Sequence, residues 1–235
     1  MSKIPGQERI RVETTLPARP LPPNAERPHI RTERLVIRPF TPDDLADLHS
    51  LRAQPEVMVY SSVGRADRDL AETRTRMEAQ LPPNDATSYD FVICLASTGE
   101  FLGTGGVRLG SGDGDDKDFF GWPELGYMFK REHWGKGYAT EFVRAFLAAW
   151  WALPRCRVEV GVDARSLDAG APVAPGAEVP EQLSALVEVR NLSSKRVLGK
   201  LGFRQFAEWT QDDGREGYDG AEAHLCGFSV SKPTR

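Results

Sequence analysis

The stretch EHWGKGYATEF, Glu132 to Phe142, decides how this sequence is read. Two glycines, Gly135 and Gly137, stand one residue apart just before a run with helical spacing: Ala139, Phe142, Val143, Phe146, Leu147 and Trp150, stopped at Pro154. Glycine inside a helix costs about 1 kcal/mol relative to alanine, so a pair at the entrance marks backbone that needs unusual dihedrals or close approach to something. Just upstream, ELGYMF (124–129) reads as a strand. Strand, tight glycine turn and helix N-terminus together make an anion site, because unpaired amides and the positive end of the helix dipole point at one place. The segment is no P-loop, since GKGY lacks the first glycine at the required spacing and a Ser/Thr after the lysine. It is no dinucleotide fingerprint either, since the third glycine is missing. From these residues alone two readings stay open: a phosphate cradle, or a glycine path that turns a strand sharply into a helix.

Working outward, RLVIRPF predicts a short strand, followed by a helix over TPDDLADLHSLRA with Thr41 as N-cap, Pro42 at the first position and Asp44 completing a capping box. LAETRTRMEAQL predicts a second helix, broken by Pro82 and Pro83. YDFVICLA and EFLGTGGVRL predict a hairpin turning at 97–99, and the polar GSGDGDDKD precedes the glycine-turn strand. Beyond Pro154, RVEVGVD and ALVEVRN read as strands around an Ala/Gly/Pro-rich insertion at about 164–183. SSKRVLGKLGF reads as a helix with Gly202 as a left-handed cap, and two strands close the chain. Residues 1–29 mix charges with prolines and are expected to form an extended or mobile arm, with one domain over 30–235.

Composition narrows the function classes. With 235 residues, 40 % hydrophobic and 27 % charged, the chain can bury a full core, and a formal net charge of −4 gives no electrostatic reason to expect nucleic acid. Cys94, Cys156 and Cys226 are odd in number and far apart, which suggests buried thiols in a reducing compartment rather than disulfides or a metal cluster. No apolar run approaches the ~18 residues of a membrane span and no secretory apolar segment opens the chain, so a cytoplasmic protein without membrane partners is expected.

The order of elements, with two motifs, resembles the GNAT superfamily of acyl-CoA N-acyltransferases over roughly 30–230. A six-residue pyrophosphate loop of that family matches Trp134, Gly135, Lys136, Gly137, Tyr138 and Ala139. Trp134 replaces the usual Gln or Arg, a form similar to the branch of ribosomal-protein alanine N-acetyltransferases. The second signature, Asn followed eleven and twelve residues later by Gly-Phe, matches Asn191, Gly202 and Phe203. The resemblance implies an α/β fold with a mixed, mostly antiparallel central sheet flanked by helices. It further implies acetyl transfer from acetyl-CoA, as co-substrate and without metal, to a primary amine on a protein N-terminus, a lysine or a small molecule, in a monomer or homodimer.

On that resemblance, amides from Gly135 through Thr140 hold the CoA pyrophosphate and Asn191 bonds the pantetheine arm. Backbone groups near Met128 and Phe129, freed where the strand splays from its neighbour, bind pantetheine and polarise the acetyl carbonyl. Lys136 is either a phosphate contact or a solvated charge. Glu124, two residues before Gly126, matches a catalytic acid of several members and is the candidate base; a salt-bridged strand carboxylate is the alternative. Leu198 stands where many members carry a thiolate-protonating tyrosine, which leaves Ser194 as the candidate donor to the sulfur, or as a helix cap. The missing tyrosine also keeps a second class open, a CoA-binding or protein-interaction module without chemistry. Glu141 is expected to support the first helical turn, and His49 to be a surface histidine.

Overall fold

The computed structural model describes residue 4 and residues 6–109, 120–167 and 173–233. GSGDGDDKD and residues 168–172 of the expected insertion lie outside the described residues. The elements in chain order are β1 (Arg9–Pro17), β2 (Ile30–Arg31), β3 (Leu35–Arg38), α1 (Leu45–Arg52), α2 (Pro55–Met58), α3 (Leu70–Glu78), β4 (Ser88–Leu95), β5 (Phe101–Arg108), β6 (Glu124–Phe129), α4 (Tyr138–Ala152), β7 (Arg155–Asp163), β8 (Gln182–Glu188), α5 (Leu192–Lys200), β9 (Arg204–Asp212) and β10 (Glu222–Ser231). They fall into two compact units, one of residues 19–108 and 126–152, the other of 1–18, 109–125 and 153–235. Among the described residues no helix is long and apolar enough to cross a membrane.

In the first unit, β2, β3, β4 and β5 pair antiparallel in that order, and the later part of β6 lies beside β5. Period-two alternation along β4 gives the sheet its two apolar faces. Val92 and Cys94 join Phe40, Leu45, Leu48, Leu51, Met77 and Phe101 under α1 and α3. Tyr89 and Phe91 turn the other way onto α4, with Phe146 centred 5.8 and 6.0 Å from their rings. Phe142, Val143, Phe146 and Trp150 are all fully buried, each contributing about 1.5–3 kcal/mol by burial. Gly105 makes this contact close: a Cβ there would lie 2.6 Å from the Phe142 ring. The expected capping box is present, with Thr41 N–H donating to Asp44 Oδ2 at 2.7 Å and Arg38 pairing with the same carboxylate.

In the second unit, β8 lies between the start of β6 and β10, and β10 pairs antiparallel with β9. The recorded β6–β8 pairing is parallel, at Glu124 opposite Ser184, so the chain's strands make a mixed and mostly antiparallel pattern. Residues 9–17, expected as part of an extended or mobile arm, form a strand paired antiparallel with β7 over nine residue pairs, Arg9↔Asp163 to Pro17↔Arg155. Val12 and Thr14 point inward from it, and Val12 packs with Trp122, Phe120, Val160, Val162 and Trp209.

The described parts of the insertion pack. Trp122 Nε1 donates to the fully buried Ser166 hydroxyl at 2.9 Å. Val173 and Val179 lie against the same apolar cluster. Residues 176–179 run along β1, with Gly176 N–H to Arg11 O, Glu13 N–H to Ala177 O and Val179 N–H to Glu13 O at 2.8–2.9 Å. Glu181, 2 % exposed, pairs with Arg155 at 2.7 Å. Of the thiols, Cys94 and Cys226 are buried, whereas Cys156 is exposed.

Candidate functional site

The glycine turn is built from β6, a short 3-10 turn at Arg131–His133, and α4. Gly135 and Gly137 have φ of +75° and +83°, while Lys136 between them does not have positive φ. A backbone whose φ alternates in sign aims successive amides into one concavity, and L residues other than glycine pay a steric cost in the left-handed region. Glu141 N–H donates to Gly137 O at 3.1 Å, which makes Gly137 the N-cap of α4. The amides of Gly137, Tyr138, Ala139 and Thr140 therefore have no acceptor within the helix. Trp134, Gly135, Lys136 and Gly137 are exposed, so the concavity is open to a ligand. These features fit an anion such as a diphosphate.

The turn's carbonyls and its neighbouring charges are fixed by the β2–β3 connection. Thr32 Oγ1 donates to Glu141 Oε1 at 2.6 Å, and Arg34 N–H donates to the same oxygen at 3.0 Å. Arg34 Nε and Nη2 reach Glu141 Oε2 at 2.7 and 2.6 Å, while Nη1 donates to Lys136 O at 3.0 Å. The Arg34 guanidinium also lies over the Tyr138 ring, 4.8 Å from its centre. Burial alone would raise the Glu141 carboxyl, but the bonds from Thr32 and Arg34 outweigh it and hold it below the usual carboxylate range. Arg34 and Thr32 were not legible as site residues: 102 positions separate Arg34 from Lys136, and the only hint is an acid in the first turn of a helix that is to receive an anion.

At the end of β6, Trp134 Nε1 donates to Phe129 O at 2.7 Å, so the carbonyl expected to be free there is engaged by the first residue of the turn. Lys130 N–H donates to Leu102 O on β5. Strand alternation then turns the backbone groups of Met128 toward β5 as well, and a Cβ built on Gly103 of β5 would lie 2.1 Å from Met128 O. The Met128 side chain packs on the α1 cluster.

The other candidates lie in the second unit. Glu124 opens β6. Asn191 is the N-cap of α5, its Oδ1 accepting from Ser194 N–H at 3.0 Å, so the cap is Asn191 and Ser194 sits at the third helical position. Asn191 keeps its Nδ2 as a donor. Leu198, in the place of the family's tyrosine, is fully buried, and Gly202 has φ of +84° after the helix. His49 is half-buried rather than superficial, with Nδ1 2.8 Å from Thr73 Oγ1, which in turn donates to Asp67, the partner of Arg52.

Comparison with known proteins matches this geometry to a family. A family model described as an acetyltransferase (GNAT) domain matches residues 34–204. The uncharacterized protein YkkB of Bacillus subtilis is 29 % identical over 175 residues, covering 73 % of this chain and 82 % of that protein. A GNAT-family acetyltransferase from Bacillus anthracis superposes with a TM-score of 0.61 at 19 % identity, covering 87 % of this chain and 98 % of that one. A spermidine N-acetyltransferase from Vibrio cholerae, solved with CoA and spermine, superposes with a TM-score of 0.59 at 15 % identity, covering 85 % and 96 %. The family match runs from the turn that carries Arg34, through the glycine turn, to the Gly-Phe that follows α5, and on that match the chain belongs to the GNAT acetyltransferases, enzymes that transfer an acetyl group from acetyl-CoA to an amine.

Proposed function

We propose that the turn from Trp134 to Ala139, with the first amides of α4, holds the diphosphate of acetyl-CoA, and that the acetyl group passes directly to a primary amine. The observation that carries this reading is the pair of positive-φ glycines flanking Lys136, whose carbonyl accepts from Arg34 Nη1 while the amides of residues 137–140 are left to an anion. Asn191 Nδ2 is the group assigned to the pantetheine arm. The Phe129 amide is assigned to the thioester carbonyl oxygen, where a fixed donor lowers the barrier by about 3 kcal/mol.

In the reaction the amine nitrogen attacks the thioester carbon, a C–N bond forms as the C–S bond breaks, and the amine's proton leaves to a base while the thiolate takes one up. Glu124 is assigned as that base and Ser194 as the donor to sulfur, directly or through water. The acceptor is a small-molecule or protein amine; the bound spermine of the Vibrio cholerae enzyme makes polyamines a rational first choice in a panel. The test is release of free thiol from acetyl-CoA in the presence of polyamines, aminoglycosides, lysine peptides and N-terminal peptides. Amine-dependent release with an acetylated product supports the reading. Tight CoA binding without release by any amine in the panel counts against it.

A further inference from the structure

The glycine turn contains an electrostatic contradiction that its neighbours resolve. A site for a doubly charged diphosphate should exclude carboxylates, yet Glu141 occupies the first turn of α4, one residue beyond the amides that face the anion. That carboxylate is ionised, held below the usual range, and only partly exposed. Arg34 meets it with three groups, its backbone amide, Nε and Nη2, and uses the remaining fork nitrogen Nη1 on Lys136 O. A Cβ built on Gly137 would point at Arg34 Nη2, 3.4 Å away, so the guanidinium lies directly against the turn.

We infer that Arg34 is the positioning residue of the CoA diphosphate site: it cancels the charge of Glu141 beside the anion and holds the Lys136 carbonyl out of the concavity. Glu141 in turn is the anchor that ties Arg34, through the short β2–β3 connection, to the start of α4. The planar fork suits this dual role, since one guanidinium bonds a carboxylate along one edge and a carbonyl with another nitrogen, which a lysine ammonium cannot reproduce. The inference rests on the turn holding the diphosphate, and its test separates the two.

The experiment is calorimetric titration of CoA into wild type, Arg34→Gln, Arg34→Lys, Glu141→Gln, the double variant Arg34→Gln/Glu141→Gln, and Gly137→Glu, with the melting of each apo protein recorded. Arg34→Gln is expected to weaken CoA roughly ten- to hundredfold, the range for losing charge-assisted hydrogen bonds. Arg34→Lys, which keeps the charge, is expected to fall between wild type and Arg34→Gln. The double variant is expected to recover most of the affinity lost in Arg34→Gln and to bind CoA no more weakly than Glu141→Gln, because no uncancelled carboxylate then stands beside the anion. Recovery on removing a second anchor is a result that a purely structural role does not give. A double variant weaker than Arg34→Gln, or equal losses in the Lys and Gln variants, overturns the charge balance. CoA affinity within twofold of wild type in Arg34→Gln, with binding abolished in Gly137→Glu, overturns the inference and leaves the diphosphate site standing. Wild-type affinity in Gly137→Glu overturns the site itself.

Discussion

Replacing Gly137 separates the backbone's part in the glycine turn from that of its charges. The residue has φ of +83°, where an L side chain costs roughly 1–2 kcal/mol. Its Cβ would meet only Arg34 Nη2, at 3.4 Å, the far end of a flexible side chain, so steric cost adds little in the apo protein. Gly137→Ala should therefore lower the melting temperature by roughly 2–8 °C, taking about 2–4 °C per kcal/mol for a chain of this size. Gly135→Ala is the matched control, with φ of +75° and no atom within 4 Å of the new Cβ. Both variants carry the backbone strain, and Gly137→Ala alone also brings a methyl group into contact with Arg34. Gly137→Ala should thus bind acetyl-CoA more weakly than Gly135→Ala. Gly137→Glu adds a charge at the turn: at about 5 Å and an effective dielectric near 20, repulsion is about 3 kcal/mol per phosphate charge, more than a hundredfold in affinity. Calorimetry of acetyl-CoA binding and apo melting curves measure the two effects separately. If both Gly137 variants bind acetyl-CoA as wild type does, the turn is architectural and the phosphate assignment fails.

Further perturbations test other parts of the account. Glu124→Gln should leave CoA affinity within about twofold and lower turnover by about 10²–10⁴-fold, the range for a general base, with the deficit shrinking as pH rises and amines deprotonate unaided; an unchanged pH-rate profile would reduce Glu124 to a strand residue. Deleting 173–180 removes three backbone hydrogen bonds to β1 and two packed valines, and should cost roughly 2–5 kcal/mol, or on the order of 10 °C in melting temperature; an unchanged melting curve would show that the segment does not pack. Acid should destabilise the first unit through Asp44 and Asp67. Burial would raise both carboxyls, but Arg38 and Thr41 hold the first, and Arg52 and Thr73 the second, below the ordinary value. A group depressed in the folded state contributes stability above its unfolded pKa, about 3.9, and loses it as pH falls toward the folded value. Melting temperature should therefore fall steeply below about pH 4, with a shallower slope in Asp44→Asn and Asp67→Asn; an identical slope in the variants would refute the assignment.

Much of the fold was legible because local signals agreed with the packing. Thr41, Pro42 and Asp44 announce α1, the alternation of YDFVIC gives β4 two faces, and Pro154 stops α4 where the spacing ends. β1 was missed although Ile10, Val12 and Leu16 alternate with Arg9, Arg11 and Glu13. A polar Thr14 interrupts the inward face, and prolines follow, so composition outweighed a period that only β7 makes meaningful. Within the insertion expected at about 164–183, the segment over 173–181 gave no local sign of packing, because Ala, Gly and Pro carry no periodic face. Its order comes from amides bonded to β1 and from two valines, which no local pattern encodes. At the site, the glycines gave away the turn because positive φ restricts the residue type. Arg34 gave no such sign, since its role lies in a contact across 102 positions, and the orientation of Met128 depends on which neighbour β6 pairs with.

The most direct test of the central claim is the binding of CoA itself, set against ligands that share only part of its chemistry. Titration of acetyl-CoA, NAD and ATP into the protein, by calorimetry with a parallel melting series, compares a ligand carrying both diphosphate and pantetheine with two adenine nucleotides that carry phosphates but no pantetheine. The account predicts saturable binding of acetyl-CoA and a raised melting temperature, about 2.7 kcal/mol of stabilisation at a hundredfold excess over Kd, with neither NAD nor ATP producing a comparable shift. No heat and no shift at saturating acetyl-CoA, or equal stabilisation by NAD or ATP, would contradict it.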